Sequence, residues 1–174
     1  MIDLKSLIRN VPDFPKKGIG FKDITTLLKD GPGFQQAVQM MIEPFQGDNV
    51  QKIAGIESRG FILGGAMAYE MGVGFVPFRK PKKLPSQCLS ESYALEYGTD
   101  SIEMHVDAVG KGERILIVDD LLATGGTASA ACKLVERLGG IVVGVSFLIE
   151  LSFLPGRQKL EGRKISVLID YDSE

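Results

Sequence analysis

The sequence predicts an α/β protein, with a parallel sheet flanked by helices on both faces. Two observations carry that expectation. Apolar runs at 52–56, 74–78, 115–118, 141–149 and 164–170 have the length and β-branched character of strands buried on both sides. Helix-patterned stretches at 60–71 and 127–138 stand between them, and such alternation implies right-handed crossovers within one sheet. In sheets of this kind ligands bind beyond the C-terminal ends of the strands. The residues that follow each strand are therefore the ones to read for chemistry.

Taken in order, Leu4, Leu7 and Ile8 give a short amphipathic helix that stops before Pro12. Residues 13–23 read as irregular, with Pro15, Gly18 and Gly20 as turn signals. Phe34, Val38, Met41, Ile42 and Phe45 recur at helical spacing, so 32–45 reads as a core-facing helix. A strand at 52–56, a helix at 60–71 and a strand at 74–78 follow. Residues 79–92 are rich in Lys and Pro and read as a solvated loop. Residues 92–97 and 101–106 read as a hairpin around Gly98-Thr99-Asp100. The remaining elements are the strand ending at Val118, the helix 127–138 and the two closing strands.

At 174 residues the chain is long enough for one domain, 1–174, with a sizeable core, and no shift in composition marks a second. The net charge of −2 offers no broad basic surface, so nucleic acid is not expected as a partner. Cys88 and Cys132 lie far apart without metal-type spacing, which predicts neither a zinc site nor a disulfide framework. Cys132 falls in phase with Ala128, Val135 and Leu138 and reads as a small core residue. The opening MIDLKSLIRN interleaves charged and apolar residues, unlike a signal peptide. The most apolar stretch, 141–151, is too short for a membrane span and carries Gly144 and Glu150. The expectation is a soluble cytoplasmic protein.

The segment from Ile115 to Thr127, ILIVDDLLATGGT, carries the most chemistry. An apolar strand ends abruptly in Asp119 and Asp120; a short glycine turn follows, and Thr127 opens an Ala-rich helix. Glycine lets backbone approach a ligand because no Cβ intervenes. The unpaired N–H groups and dipole of a helix start attract phosphate, and Thr124 and Thr127 add hydroxyl donors. The two carboxylates are placed to accept hydrogen bonds from a sugar diol, so a ligand with a ribose and a terminal phosphate fits. The plain alternative is an ordinary strand-to-helix turn, but the whole ordered string is far rarer than a lone DD or GG. Neither GxxxxGK[ST] nor GxGxxG occurs.

That string resembles the phosphoribosyl-pyrophosphate (PRPP) signature of the type I phosphoribosyltransferases. The resemblance implies that Asp119 and Asp120 hold the ribose hydroxyls, while Ala123, Thr124, Gly125, Gly126 and Thr127 cradle the 5′-phosphate. It also implies a fold with a small N-terminal hood, residues 1–30, and a flexible lid loop. A second candidate loop follows the strand at 52–56: Glu57-Ser58-Arg59-Gly60, again leading into a helix. A cation in the first turn of a helix opposes the dipole unless an anion is bound. Arg59 with the loop N–H groups therefore reads as a second anion site, the alternative being an arginine paired with Glu57 or another acid. In the family this is the pyrophosphate loop, often with a non-proline cis peptide, for which Glu57–Ser58 is the candidate.

GIESRGF from Gly55, FPKKGIGFKDIT from Phe14, RKPKKLP from Arg79 and LEYG from Leu95 are similar to the adenine-using members of that family. The likeness implies that Phe21 stacks on the purine, that Lys22 takes the place often held by an arginine near the base, and that Leu151 covers the other face. It makes 79–92 a lid whose Arg79, Lys80 and Lys83 offset the pyrophosphate charge. It makes Glu96 the acid/base that takes the purine N9 proton. On sequence alone the plain alternatives are a hydrophobic anchor for Phe21 and an exposed strand residue for Glu96. His105, sharing a face with Glu103 and Asp107, reads as solvent-facing and not catalytic. The resemblance further implies Mg²⁺ carried on PRPP without a protein metal cage, PRPP and adenine as small-molecule substrates, and a homodimer. Two alternatives stand at this point: the same transfer to another purine, or a non-catalytic PRPP sensor.

Overall fold

The protein is described here from a computed structural model, which covers residues 1–95 and 98–173. A 3-10 turn, Leu4–Leu7, leads into a short antiparallel pair, β1 (Arg9–Val11) and β2 (Phe21–Asp23), then one helical turn, α1 (Thr25–Leu28), and helix α2 (Gly31–Ile42). The main unit follows as β3 (Lys52–Ile56), α3 (Arg59–Met71) and β4 (Gly74–Phe78). An antiparallel hairpin, β5 (Cys88–Ala94) and β6 (Thr99–His105), precedes β7 (Arg114–Leu122), α4 (Gly126–Arg137), β8 (Ile141–Leu151) and β9 (Ile165–Tyr171).

Five strands form one sheet in the order β4-β3-β7-β8-β9, every neighbouring pair parallel. The alternation along β7 sorts its side chains between two cores. Ile115 and Ile117 join α4 and the β5–β6 hairpin on one face; Leu116 and Val118 join α2 and α3 on the other. All four are fully buried, each contributing about 2 kcal/mol by removing apolar surface from water. Because the chain runs from β3 to β4 on one side and to β7 on the other, the strand order reverses between β3 and β7. Loops leaving the two strands diverge there and open a crevice.

Several expectations change. Residues 9–11 and 21–23, read as lying outside any strand, pair as β1 and β2, with Arg9 bridging to Asp23 at 2.6 Å. Such pairing is invisible to periodicity because each strand has only three residues. The predicted lid at 79–92 is partly ordered: Arg79 pairs with Glu103 through the backbone, and β5 begins at Cys88, half-buried Leu89, Glu91 and Tyr93 alternating with exposed Ser90, Ser92 and Ala94. The hairpin consequently sits earlier than predicted, Thr99 and Asp100 belonging to β6 and not to the turn. His105 is half-buried, and its Nε2 accepts a hydrogen bond from the Ser86 N–H at 3.3 Å. No helix among the described residues is long and apolar enough to cross a membrane. Cys132 lies buried in the core as expected, and both cysteines are free.

Candidate active site

Two helices begin at the crevice, and neither start has a side-chain cap. Ser58 and Gly125 occupy the N-cap positions of α3 and α4 without a side-chain hydrogen bond, and neither first turn contains an acid. Helix α2, remote from the crevice, is built differently: its N-cap Asp30 accepts a hydrogen bond from the Gly33 N–H at 2.8 Å. The open N–H groups at α3 and α4 are what an anion would satisfy.

Close approach explains the glycines. Gly125 lies at φ +73°, and a methyl there would stand 2.3 Å from the Gly156 carbonyl oxygen. A methyl on Gly60 would stand 2.9 Å from the Val118 carbonyl oxygen and 3.1 Å from Asp119 Oδ1. The start of α3 therefore packs directly on the end of β7, which brings the two loops into one site. The Glu57–Ser58 peptide is cis.

A cleft of about 350 Å³ is lined by Glu57, Ser58, Arg59, Lys80, Asp119, Asp120 and Thr127, with Ile56, Ile102 and Leu121. A smaller hollow of about 80 Å³ adjoins it along 121–128, so Ala123, Thr124, Gly125, Gly126 and Thr127 wrap one space. Arg79 and Lys83 reach the same region through Glu57, at 2.5 and 3.2 Å. Phe21 meets the Arg59 guanidinium 5.2 Å from its ring centroid and packs edge-on against Phe14. Leu151 ends β8, half-buried against the α2–α3 core. Lys22 departs from expectation. Its side chain is buried away from the cleft, with Nζ 3.0 Å from Asn10 Oδ1 and 4.5 Å from the Tyr171 ring centroid. The β1–β2 pairing turns it that way, leaving only its backbone for a base. Glu96 lies outside the described residues.

The charges are arranged as matched pairs. Arg59 Nε lies 2.5 Å from Asp120 Oδ2, but its N–H is not aimed at that oxygen, which has no hydrogen-bond donor among the described residues. Asp120 thus retains a buried, unused acceptor. Its N–H donates to Asp119 Oδ1 at 2.9 Å. Burial, and then the adjacent Asp120 charge, push the Asp119 carboxyl well above the usual carboxylate range. Burial also works against the charged form of Glu57, but hydrogen bonds from Arg79, the Lys80 N–H and Lys83 outweigh it and hold the carboxyl below its ordinary value. Arg59 therefore pairs with Asp120 and not with Glu57, the partner its sequence neighbourhood offers. Lys80 donates to Asp100 and to the Tyr93 hydroxyl, the latter at 2.7 Å.

Sequence reasoning missed Tyr93, Asp100 and Gly156 as parts of this site. Pro155-Gly156 was legible as a turn, but its contact with Gly125 is purely tertiary.

This geometry belongs to a recognisable class. The chain matches the phosphoribosyl transferase domain over residues 25–165 and belongs to that family. Within it the chain falls among the adenine phosphoribosyltransferases. It is 60% identical over 172 residues to the adenine phosphoribosyltransferase of Solibacter usitatus, covering 99% of both chains. The crystal structure of the Thermoanaerobacter pseudethanolicus enzyme of that name superposes with a TM-score of 0.95 at 56% identity, covering 97% of this chain and 98% of that one. The Saccharomyces cerevisiae adenine phosphoribosyltransferase, crystallised with an imino-altritol bisphosphate and adenine, matches with a TM-score of 0.90 at 39% identity, covering 95% and 96%.

Proposed function

We propose that the chain transfers the 5-phosphoribosyl group of PRPP to N9 of adenine, giving AMP and pyrophosphate in purine salvage. The observation that carries this reading is the meeting of an acid pair with two uncapped helix starts at the sheet's reversal point. The Thr124–Thr127 turn and the α4 N–H groups take the 5′-phosphate. Asp119 and Asp120 accept the ribose hydroxyls, for which the unused Asp120 Oδ2 is suited. The α3 start with Ser58 and Arg59 takes the pyrophosphate, with Arg79, Lys80 and Lys83 offsetting its charge.

As the C1–O bond to pyrophosphate lengthens, the ribose becomes oxocarbenium-like. The carboxylates beneath it place negative charge near the developing cation, and the loop cations stabilise the leaving group. Adenine N9 then closes on C1 from the opposite face, Phe21 and Leu151 holding the ring and Glu96 taking the proton. The donor set fits Mg²⁺ carried with PRPP, since two adjacent carboxylates, Asp119 and Asp120, border the cleft. It would be held mainly through the PRPP oxygens, with Asp119 and Asp120 as the carboxylates available nearby, and would neutralise pyrophosphate charge.

We further read the chain as one domain, 1–174, with 1–30 as a hood over the base, working in the cytoplasm as a homodimer. Exposed Ile62 and Tyr69 on α3 and Phe75 on the edge strand β4 support the dimer. The test is AMP formation from PRPP, Mg²⁺ and adenine, with hypoxanthine, guanine and xanthine in parallel. Product from adenine alone is expected. Turnover of another base instead would overturn the pocket assignment, and no turnover of any base would leave a PRPP sensor.

A further inference from the structure

The turn that backs the phosphate loop carries its own cation. Residues Gly156–Leu160 form a 3-10 turn held at three points. A methyl on Gly156 would stand 2.3 Å from the Ala123 carbonyl oxygen, so this backbone lies flush against the 123–125 loop. Arg157 donates two hydrogen bonds, at 2.7 and 2.6 Å, to the buried carboxylate of Glu150. Leu160 is fully buried in the core that holds α4. With Leu160 pointing inward, its neighbour Lys159 is directed at the first turn of α4. Its ammonium stands 3.7 Å from where a Gly126 side chain would begin.

That is an unfavourable place for a cation, and among the described residues Lys159 has no carboxylate partner. The N-terminal end of a helix is itself positive, and the first turn of α4 carries no acid to offset Lys159. An anchored turn that delivers an ammonium to this end makes electrostatic sense when an anion is bound between them. Resting on the function proposed above, we propose that Lys159 is a further ligand of the 5′-phosphate, alongside the backbone N–H groups, Thr124 and Thr127. A charged donor added to backbone N–H groups strengthens a phosphate contact. It also ties that contact to the Glu150 end of β8, beside Leu151.

The test is Lys159→Met, at an exposed position, compared with Lys159→Arg. Ribose 5-phosphate and pyrophosphate serve as separate inhibitors of PRPP consumption. The expected result is a rise of about tenfold in the KM for PRPP and in the ribose 5-phosphate inhibition constant, as for loss of one charged contact. The pyrophosphate inhibition constant, kcat and Tm stay close to wild type, and Lys159→Arg recovers most of the loss. Unchanged ribose 5-phosphate inhibition in Lys159→Met, or equal weakening of both inhibitors, would overturn the proposal. A wild-type chain that turns over no base and is not protected by ribose 5-phosphate would sink the underlying function instead.

Discussion

The two loops at the reversal of the sheet serve one cleft but are built by opposite means. The β7–α4 loop is nearly uncharged after its acid pair, and backbone contacts hold it in shape: Gly125 at φ +73° against Gly156. The β3–α3 loop, together with the 79–83 segment beside it, is dense with charge, and opposite charges hold it in check. Arg59 pairs with Asp120, Arg79 and Lys83 with Glu57, and Lys80 with Asp100. On the proposed reading the first is a preformed cradle that needs only its anion. On the same reading the second must exchange internal partners for its anion. Preorganisation suits a phosphate that stays on the product, and exchangeable pairing suits a pyrophosphate that must leave.

The comparison breaks most sharply at Gly125. Gly125→Val puts a branched side chain where even a methyl collides with backbone, so kcat/KM for PRPP should fall at least about a hundredfold, as ångström-scale misplacement does. Steady-state kinetics with PRPP varied reads this directly, and near-normal kinetics would mean the cradle is not preformed.

Asp119→Asn separates function from stability. The raised carboxyl binds a proton more tightly folded than unfolded, so ionising it costs stability as pH rises past the unfolded value of about 4. Removing the charge should raise Tm at pH 7–8 by about 3 °C while lowering kcat/KM about thirtyfold, the worth of one charged hydrogen bond. Thermal scans at pH 5 and pH 8 should show the gain growing with pH. A variant destabilised at pH 8 would refute the assignment.

The smallest effect belongs to the exchangeable pairs beside that second loop. Asp100→Asn removes the carboxylate that competes for Lys80, and the KM for PRPP should fall about threefold, on the scale of a part-exposed ion pair. An increase in KM would mean that Asp100 positions Lys80 instead of restraining it.

Much of this was legible in the chain itself. The strands at 52–56 and 74–78 run as read, because buried parallel strands announce themselves as continuous apolar runs. The acid pair and the glycine turn were legible because local order alone gives strand, turn and helix start. What stayed hidden depends on contacts between distant segments. Arg59 lies two residues from Glu57 in sequence yet pairs with Asp120, since the packing of Gly60 on β7 puts Asp120 within its reach. Lys22 follows Phe21 directly, yet strand alternation sends the two to opposite sides. No local pattern links Gly156 to Gly125, because backbone-to-backbone contact leaves no trace in residue periodicity.

The mutual contact of Gly125 and Gly156 sets a rule for transplanting this chemistry. The string from Asp119 to Thr127 looks portable, a short cassette for any strand-to-helix junction. Half of its mould, however, arrives later in the chain, with the turn at Gly156 and the Glu150–Arg157 pair that pins it. A graft carrying only the first piece would bring the right letters into a scaffold with nothing to press them into shape. The inheritable unit is the strand pair β7 and β8 with both following turns, and drift in one turn is confined to what the other can accept.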